Sequence, residues 1–385
     1  MRGFNVLTRY CAIALILSFQ FVNADERPLV DGGIGDKPFM TGEKGKTRIG
    51  GYSEVHFRYG RSDGVIEELG FEAKRFNLFS YTRVADRLQV VSELEFEEGG
   101  EEIKLEIAVI DFEIHPALTF RGGIILSPLG RFNLSHDSPA NDLTDRPLVS
   151  TQIIPTALSE AGMGFYGSFY PSAAARLAYE IYAVNGFNEG VISDSGNGTR
   201  IAEGRGNFED NNNRPALVGR LAFSPQAGYE IGVSLHTGAY NAWEIEGLMV
   251  AQKQELTIWA LDWEVKWRAF ELVGEYAGAS VDVPVETALL QENQAGVYIQ
   301  GNAHFGRGWL NALPESVFTG VLRYGVVDFD TDVDGDSERR WTWGLNFRPN
   351  AEAVFKLDYR REKSLDPLSN EVKGAALLFS AATYF

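Results

Sequence analysis

Cysteine is nearly absent from this sequence. Its single cysteine, Cys11, lies within an apolar run near the N-terminus, which we interpret below as part of a signal peptide. We therefore expect the mature chain to contain no cysteine, which excludes disulfide bonds and thiolate chemistry. A secreted chain of this kind must be stabilised by its fold alone.

Residues 1–24 have the pattern of a cleaved signal peptide. Arg2 and Arg9 precede the apolar run YCAIALILSFQFV. The small residues of VNA (22–24) then precede Asp25. The run is shorter than the roughly 20 apolar residues of a transmembrane helix, although an uncleaved anchor remains the alternative. Residues 25–46 are polar and rich in glycine, and we interpret them as a flexible lead-in.

Long apolar runs and basic residues are also scarce. No later stretch of 18 apolar residues follows the N-terminal run, so membrane-spanning helices are excluded. The formal net charge is −18, with 35 Lys and Arg against 53 Asp and Glu, and removal of Arg2 and Arg9 leaves −20. Such an acidic chain repels nucleic acid, and we expect no nucleic-acid partner.

Glycine and aromatic residues are abundant instead, and the chain alternates between polar and apolar residues. There are 41 Gly, 25 Phe, 15 Tyr and 7 Trp. In IGGYSEVHFRYG (49–60), Val55, Phe57 and Tyr59 share one face, and the polar residues between them share the other. A period of two predicts a strand with one apolar and one polar face.

The same alternation recurs to the last residue and predicts sixteen strands. We place them at 47–60, 71–84, 87–98, 101–114, 117–127, 160–170, 175–185, 214–224, 228–240, 253–267, 269–279, 294–304, 315–327, 338–348, 352–362 and 374–385. The alternation is weaker around 76–81 and 108–114.

The connections between these strands alternate between tight turns and long polar loops, an order typical of outer-membrane barrels. We predict long loops at 61–70, 128–159, 186–213, 241–252, 280–293, 328–337 and 363–373. An open sheet would leave two edges unpaired in lipid, so the first and last strands must pair. The fold class is therefore all-β: a transmembrane antiparallel β-barrel over residues 47–385, with short periplasmic turns, long extracellular loops and Val55 facing lipid.

A barrel of sixteen strands encloses an aqueous channel, and the loop at 128–159 carries too many apolar residues for a free loop. We predict that it folds inward and narrows the pore. The predicted constriction residues are Arg121, Arg131, His136, Asp137, Asp142, Asp145 and Arg146. The predicted lumen-lining residues are Arg48, Glu54, Arg58, Glu93, Glu95, Arg220, Arg340 and Arg348.

Three stretches resemble a known family. IDFEIHPALTFRGGIILSPLGRFNLSHDSPANDLTDRPLVSTQIIPTALSEAGMGFYG (110–167) is similar to the phosphate-selective porin O and P family, as are YEIYAVNGFNEG (179–190) and GLNFRPNAEAVFKLDYRRE (344–362). The resemblance implies a sixteen-stranded, homotrimeric porin in a Gram-negative outer membrane, in contact with the lipid bilayer and lipopolysaccharide. The terminal Phe385 resembles the signal read by the barrel-assembly machinery, although Thr383 stands where the family usually has an aromatic residue.

We predict a water-filled channel for passive diffusion of small hydrophilic solutes or ions, with weak cation preference. The family's phosphate selectivity requires a dense ladder of lumen-facing Arg and Lys, whereas the inward charges predicted here have both signs. An anion- or phosphate-selective channel is one alternative. Others are a barrel that sheathes a partner protein and a surface receptor that binds through loops 186–213 and 280–293.

The sequence offers little support for an enzyme, a cofactor or a metal site. LSHDS (134–138) contains Ser135, His136 and Asp137, but adjacent residues of an extended chain point apart, so we predict no catalytic triad. The loop from Asp330 to Asp336 matches the first six positions of a calcium loop, yet Trp341 occupies the twelfth position, where a bidentate Glu is required. We expect an acidic, solvated hairpin there.

Overall fold

The computed structural model describes residues 44–192, 198–249, 252–284 and 290–385. The predicted signal peptide, Cys11 and most of the lead-in lie outside these residues. The strands are β1 (Thr47–Ser62), β2 (Val65–Ala85), β3 (Leu88–Glu97), β4 (Glu102–His115), β5 (Leu118–Leu126), β6 (Ser159–Phe169), β7 (Arg176–Val184), β8 (Ala216–Gln226), β9 (Tyr229–Ala239), β10 (Glu244–Ile245), β11 (Leu248–Met249), β12 (Glu255–Trp267), β13 (Phe270–Val281), β14 (Asn293–Phe305), β15 (Val317–Asp328), β16 (Ser337–Arg348), β17 (Ala353–Leu365) and β18 (Glu371–Tyr384).

Sixteen of these strands form one closed antiparallel barrel, which confirms the predicted fold class. Each strand pairs with its neighbours in the chain, β9 pairs with β12, and β10 and β11 form a separate small hairpin. The barrel closes between β1 and β18, where Tyr52 lies opposite Tyr384 and Ser62 opposite Gly374. Closure leaves no unpaired first or last strand.

Short turns lie mostly at one rim of the barrel and long loops mostly at the other, with a short connection at 98–101 on the long-loop rim and a longer one at 306–316 on the short-turn rim as exceptions. Only residues 86–87, 116–117, 227–228 and 268–269 separate the strands at four of the turns of the short-turn rim. The prediction of a long loop at 61–70 is wrong. β1 ends at Ser62 and β2 begins at Val65, so a turn of two residues joins them. Gly64 has a φ of 87°, a conformation that glycine adopts without strain.

The outer surface of the barrel is apolar and the inner surface is polar along much of its height. Val55 is 49% exposed on the outside, whereas Glu54 is 2% exposed on the inside. A belt of aromatic rings surrounds the outside near the short-turn rim, with Phe318 in ring contact with both Phe305 and Phe347. Such a belt is typical of the lipid–water interface of a membrane barrel.

Among the β-bulges of the barrel, two lie within the long strands β2 and β4. The register between β1 and β2 shifts between Glu54 and Val55, so that Lys74 is the extra residue of β2. The register between β3 and β4 shifts between Glu93 and Leu94, so that Glu106 is the extra residue of β4. Each of these bulges exchanges the inward and outward faces of its strand. The alternation is weak near 76–81 and 108–114 for a different reason: Phe79, Tyr81 and Val109 face inward and are buried, so apolar residues lie on both faces there.

Part of the barrel interior is a hydrophobic core. The connection from 127 to 158, here called the inner loop, contains two single-turn helices, α1 (Arg131–Leu134) and α2 (Val149–Gln152). Its Leu129, Val149 and Ile153 are fully buried and belong to the same cluster as inward residues of the strands, such as Ile258. No helix in the described part of the chain is long and apolar enough to cross a membrane.

Candidate functional site

The inner loop is fastened at its base by one buried side chain. Asn133 Nδ2 donates to the carbonyl oxygens of Ser127 at 2.7 Å and Leu158 at 3.2 Å, and Asn133 Oδ1 accepts from the Leu158 backbone N–H at 2.9 Å. Ser127 and Leu158 are the two ends of the loop. Asn133 therefore holds the ends together and directs the intervening residues into the barrel.

The acidic residues of the inner loop contact a wall of basic residues. Asp145 pairs with Arg58 of β1 at 2.8 Å and with Arg360 of β17, and its carbonyl oxygen accepts from Arg323 of β15 at 2.7 Å. Burial alone would raise the pKa of Asp145, but Arg360 and Arg58 outweigh it and hold that pKa well below its usual range. The carboxylate is therefore ionised and locked between cations.

Asp142 is anchored to the same side of the barrel. Its carboxylate accepts hydrogen bonds from Arg348 of β16 at 2.9 Å and from Asn302 of β14 at 2.8 Å. Its carbonyl oxygen accepts from Asn346 at 2.7 Å. Side chains from two strands thus fix both the charge and the backbone of the loop at this residue.

The opposite wall is acidic and meets a cation of the same loop. Arg131 lies 2.8 Å from Glu264 of β12 and 3.3 Å from Glu230 of β9. Burial alone would lower the pKa of Arg131, but Glu264 and Glu230 outweigh it and raise that pKa above its usual range. The fully buried Glu275 of β13 accepts from the Phe132 backbone N–H at 3.2 Å. The loop therefore spans the lumen between walls of opposite charge.

A cavity of about 120 Å³ remains between the inner loop and strands β12–β15. Three cations and four carboxylates line it: Arg131, Lys266 and Arg323, and Asp142, Asp145, Glu264 and Glu271. The volume holds only a few water molecules. The lining has both signs of charge, with one carboxylate in excess.

Histidine–carboxylate contacts hold other parts of the loop and wall. His136 of the loop lies 3.0 Å from Glu106 of β4, and His236 of β9 lies 2.9 Å from Glu160, just beyond the loop. Asp137 accepts from the Tyr384 hydroxyl at 3.1 Å. His136 and Asp137 thus contact different walls of the barrel.

The structure brings only some of the predicted constriction residues together. Arg131, Asp142 and Asp145 line the lumen cavity, whereas His136 and Asp137 anchor the loop elsewhere. Arg121 does not join the loop acids, because its guanidinium forms two hydrogen bonds with Asp111 at 2.8 and 2.9 Å. Arg146 lies apart from the lumen cavity and lines a second cavity, described below.

The predicted lumen-lining residues lie at several depths. Glu54, Glu93, Glu95, Arg220 and Arg348 are buried inside the barrel, Arg58 and Arg340 are partly exposed, and Arg48 is exposed near the short-turn rim.

Sequence analysis missed several charged residues of the interior. Arg323, Lys356 and Arg360 have inward parity on their strands, a signal that the alternation contains. Arg75 faces inward and pairs with Glu54 and Glu95 at 3.1 and 3.0 Å. Counting alternate residues along β2 from its start does not predict that Arg75 faces inward, because the bulge at Lys74 shifts the alternation by one residue just before Arg75.

The acidic segment from Asp330 to Asp336 lies at the long-loop rim. Asp336 pairs with Arg200 at 3.1 Å, and Asp332 accepts from Asn293 at 3.0 Å. Among the residues that the structure describes, no group of three or more His, Cys, Asp and Glu side chains is arranged to hold a metal ion.

Comparison with known proteins identifies the fold. No family model matches the chain, so its resemblance to the porin O and P family is not confirmed at the level of a family. An uncharacterized protein of Aquifex aeolicus (strain VF5) is 26% identical over 360 residues, which cover 86% of this chain and 78% of that protein.

Several solved structures have a similar architecture. The outer membrane channel DcaP of Acinetobacter baumannii matches with a TM-score of 0.59 and 14% identity, over 90% of this chain and 100% of that one. An anion-selective porin from Comamonas acidovorans matches with a TM-score of 0.59 and 11% identity, over 88% and 99% of the two chains. A loop-deletion mutant of OmpT from Vibrio cholerae matches with a TM-score of 0.57 and 9% identity, over 89% and 100%. The chain therefore has the fold of outer-membrane porins.

Proposed function

We propose that this protein is an outer-membrane porin, not an enzyme, and that it conducts small hydrophilic solutes or ions by passive diffusion. The observation that carries the proposal is the lumen cavity, which is lined by charges of both signs and bounded by the inner loop. In a barrel with a purely structural role, burying so many charged side chains around a space that holds water would cost free energy without any benefit. The porin fold supports the same interpretation.

The cavity supports a narrow channel with weak cation preference. Its four carboxylates exceed its three cations by one, and the mature chain is expected to be strongly acidic. Charges of opposite sign on facing walls create a transverse field, which orients polar solutes without strongly rejecting either ion. We therefore expect a small conductance and a modest positive selectivity for cations.

Planar bilayer recording tests the proposal directly. The purified protein should form steady channels whose reversal potential in a salt gradient indicates weak cation preference, with little block by phosphate. A barrel that only sheathes a partner would conduct little or unsteadily. A strongly anion-selective current blocked by micromolar phosphate would contradict the proposal and favour a phosphate channel.

Anion selectivity is the second candidate because of the arginines around Asp145. Arg58, Arg360 and Arg323 all donate to this one residue. The carboxylate of Asp145 therefore contacts Arg58 and Arg360, and its carbonyl oxygen contacts Arg323, so that one loop residue occupies the space in front of three arginines. If the loop withdraws in the membrane, the exposed guanidinium groups become a site for anions.

Localisation and assembly follow from the same proposal. We propose that a cleaved signal peptide directs the chain to the outer membrane, that Phe385 is read by the assembly machinery, and that three copies associate in contact with lipopolysaccharide. Phe385 is 49% exposed at the short-turn rim, which supports its accessibility. Cross-linking of the protein in native outer membranes, followed by gel electrophoresis, should give a trimer.

A further inference from the structure

A second cavity, of about 660 Å³, lies beside the free edge of β4 at the long-loop rim. The ladder between β4 and β5 extends only to the pair Ala108–Ile124, so Glu102–Ile107 have no partner on β5. Successive side chains of a strand point to opposite faces. A cavity against a strand edge is therefore lined from both faces, here by polar Lys104 and by apolar Ile103 and Leu105.

Two arginines of this cavity, the partly buried Arg146 and the exposed Arg205, form no ion pair with a carboxylate among the described residues, although Glu95 and Glu106 are close enough to act on Arg146 electrostatically. Arg146 donates to the Thr156 carbonyl oxygen at 2.8 Å, and its buried Nη2 has no hydrogen-bond partner there. Arg205 donates to the carbonyl oxygens of Ala202 at 3.1 Å and Pro155 at 3.4 Å. Both arginines thus donate to neighbouring residues of the inner loop and line the same cavity.

The carboxylates that line the cavity are engaged with other cations. Glu95 and Glu97 pair with Arg75 at 3.0 and 2.9 Å, and Glu97 and Glu102 pair with Lys104 at 2.9 and 3.1 Å. The remaining carboxylate, Glu106, lies 3.0 Å from His136. Burial and the like charge of Arg75 lower the pKa of Arg146. The lining as a whole carries four cations and four carboxylates. The buried Nη2 of Arg146 is nevertheless a donor that no carboxylate of the described residues satisfies, and an anionic ligand could accept from it.

We propose that this cavity binds an organic anion, whose carboxylate lies between Arg146 and Arg205 and whose apolar body lies along Ile103, Leu105 and Phe208. Phe208 also lines the cavity and is 46% exposed. Guanidinium pairs suit planar oxyanions, and the apolar side chains favour a solute with a hydrocarbon part over a bare inorganic ion. The inference deepens the proposed function, because a site at the long-loop rim would supply such solutes to the channel.

Isothermal titration calorimetry of the detergent-solubilised barrel tests the site without reference to conductance. Hexanoate should bind at least about tenfold more tightly than acetate, because its four additional methylene groups become buried. Hexanamide and inorganic phosphate should bind more weakly than hexanoate, since the first lacks the charge and the second lacks the apolar part. Equal binding of hexanoate and phosphate, or of hexanoate and hexanamide, would overturn the proposal.

Variants assign the binding to the two arginines. Arg146→Gln and Arg205→Gln should each weaken hexanoate binding by about tenfold or more, because each removes a charge-assisted contact. The control is Arg87→Gln, since Arg87 is an exposed arginine near the other rim that donates only to the Ile114 carbonyl oxygen, at 3.4 Å. Unchanged binding in both cavity variants overturns the site. Normal hexanoate binding by a barrel that does not conduct would instead contradict only the proposed channel.

Discussion

At the scale of single residues, ion selectivity depends on which lumen charges are removed. Replacing Asp142 and Asp145 with Asn together should move the reversal potential towards anions, because Arg348, Arg58 and Arg360 lose their carboxylate partners. Replacing Arg131 and Lys266, two cations that line the lumen cavity, with Gln should move it the other way. Asp86→Asn is the control, since Asp86 is exposed near the short-turn rim. Shifts of the same sign in both double variants would contradict the arrangement.

Asp145 also sets an expectation for the response to acid. Its pKa is depressed in the folded protein, so its contribution to stability is complete above the unfolded value of about 3.9 and is lost only as the pH falls through the lower folded value. We expect wild type and Asp145→Asn to differ in unfolding free energy by the same amount at pH 7 and pH 5.5. Urea unfolding in detergent at the two pH values measures this difference, and a difference that has already vanished at pH 5.5 would show that Asp145 is not held as described.

Among the elements, the inner loop depends on its fastening at the base. Asn133→Ala removes three hydrogen bonds and leaves the buried backbone N–H of Leu158 without its acceptor, while the carbonyl oxygens of Ser127 and Leu158 keep the hydrogen bonds from Leu129 and Ser127. We expect a loss of about 1–3 kcal/mol in stability and noisier single-channel currents. Asn141→Ala is the milder control, because Asn141 lies at a partly buried position of the same loop and its side chain donates to the His136 carbonyl oxygen at 2.8 Å. Equal current noise in the two variants would show that Asn133 does not hold the loop.

The strands differ between their two faces. Leu345→Arg places a charge on the lipid side, where Leu345 is 49% exposed, and should cost about 2–4 kcal/mol if that position is near the bilayer midplane. Gln89→Arg, on the inner face beside Asp111, should be mild. Asn346 is unsuitable as such a control, because it is fully buried and donates to Asp142. Urea unfolding in lipid vesicles compares the two variants, and equal costs would mean that the faces are assigned wrongly.

The sequence predicts the strands well because alternation is a local property, and closure predicts that the first and last strands pair. It does not predict their register, in which Phe57 lies opposite Phe379. It predicts less of the site. Arg75 is hidden by a bulge, and Arg121 is captured by Asp111 of the adjacent strand, a choice of partner that depends on register and distance. The prediction of a loop at 61–70 is wrong because Glu67 and Glu68 are polar. They nevertheless belong to β2, which here extends past the end of β3 and pairs only with β1.

At the scale of the whole molecule, the contributions of the barrel and of the inner loop should be measurable independently of each other. All neighbouring strands are hydrogen-bonded around a closed ring, so no strand is left with a whole edge unpaired from which unfolding in mild detergent could start. The unboiled protein should migrate differently from the boiled protein on a gel and show β-sheet circular dichroism. Replacing residues 134–157 with a short glycine linker removes most of the inner loop but no strand pairing. This variant should remain heat-modifiable and conduct more than wild type, because the plug between the two charged walls is gone. Identical migration of boiled and unboiled wild type would contradict the barrel. A heat-modifiable deletion variant with unchanged conductance would instead show that the inner loop does not narrow the pore.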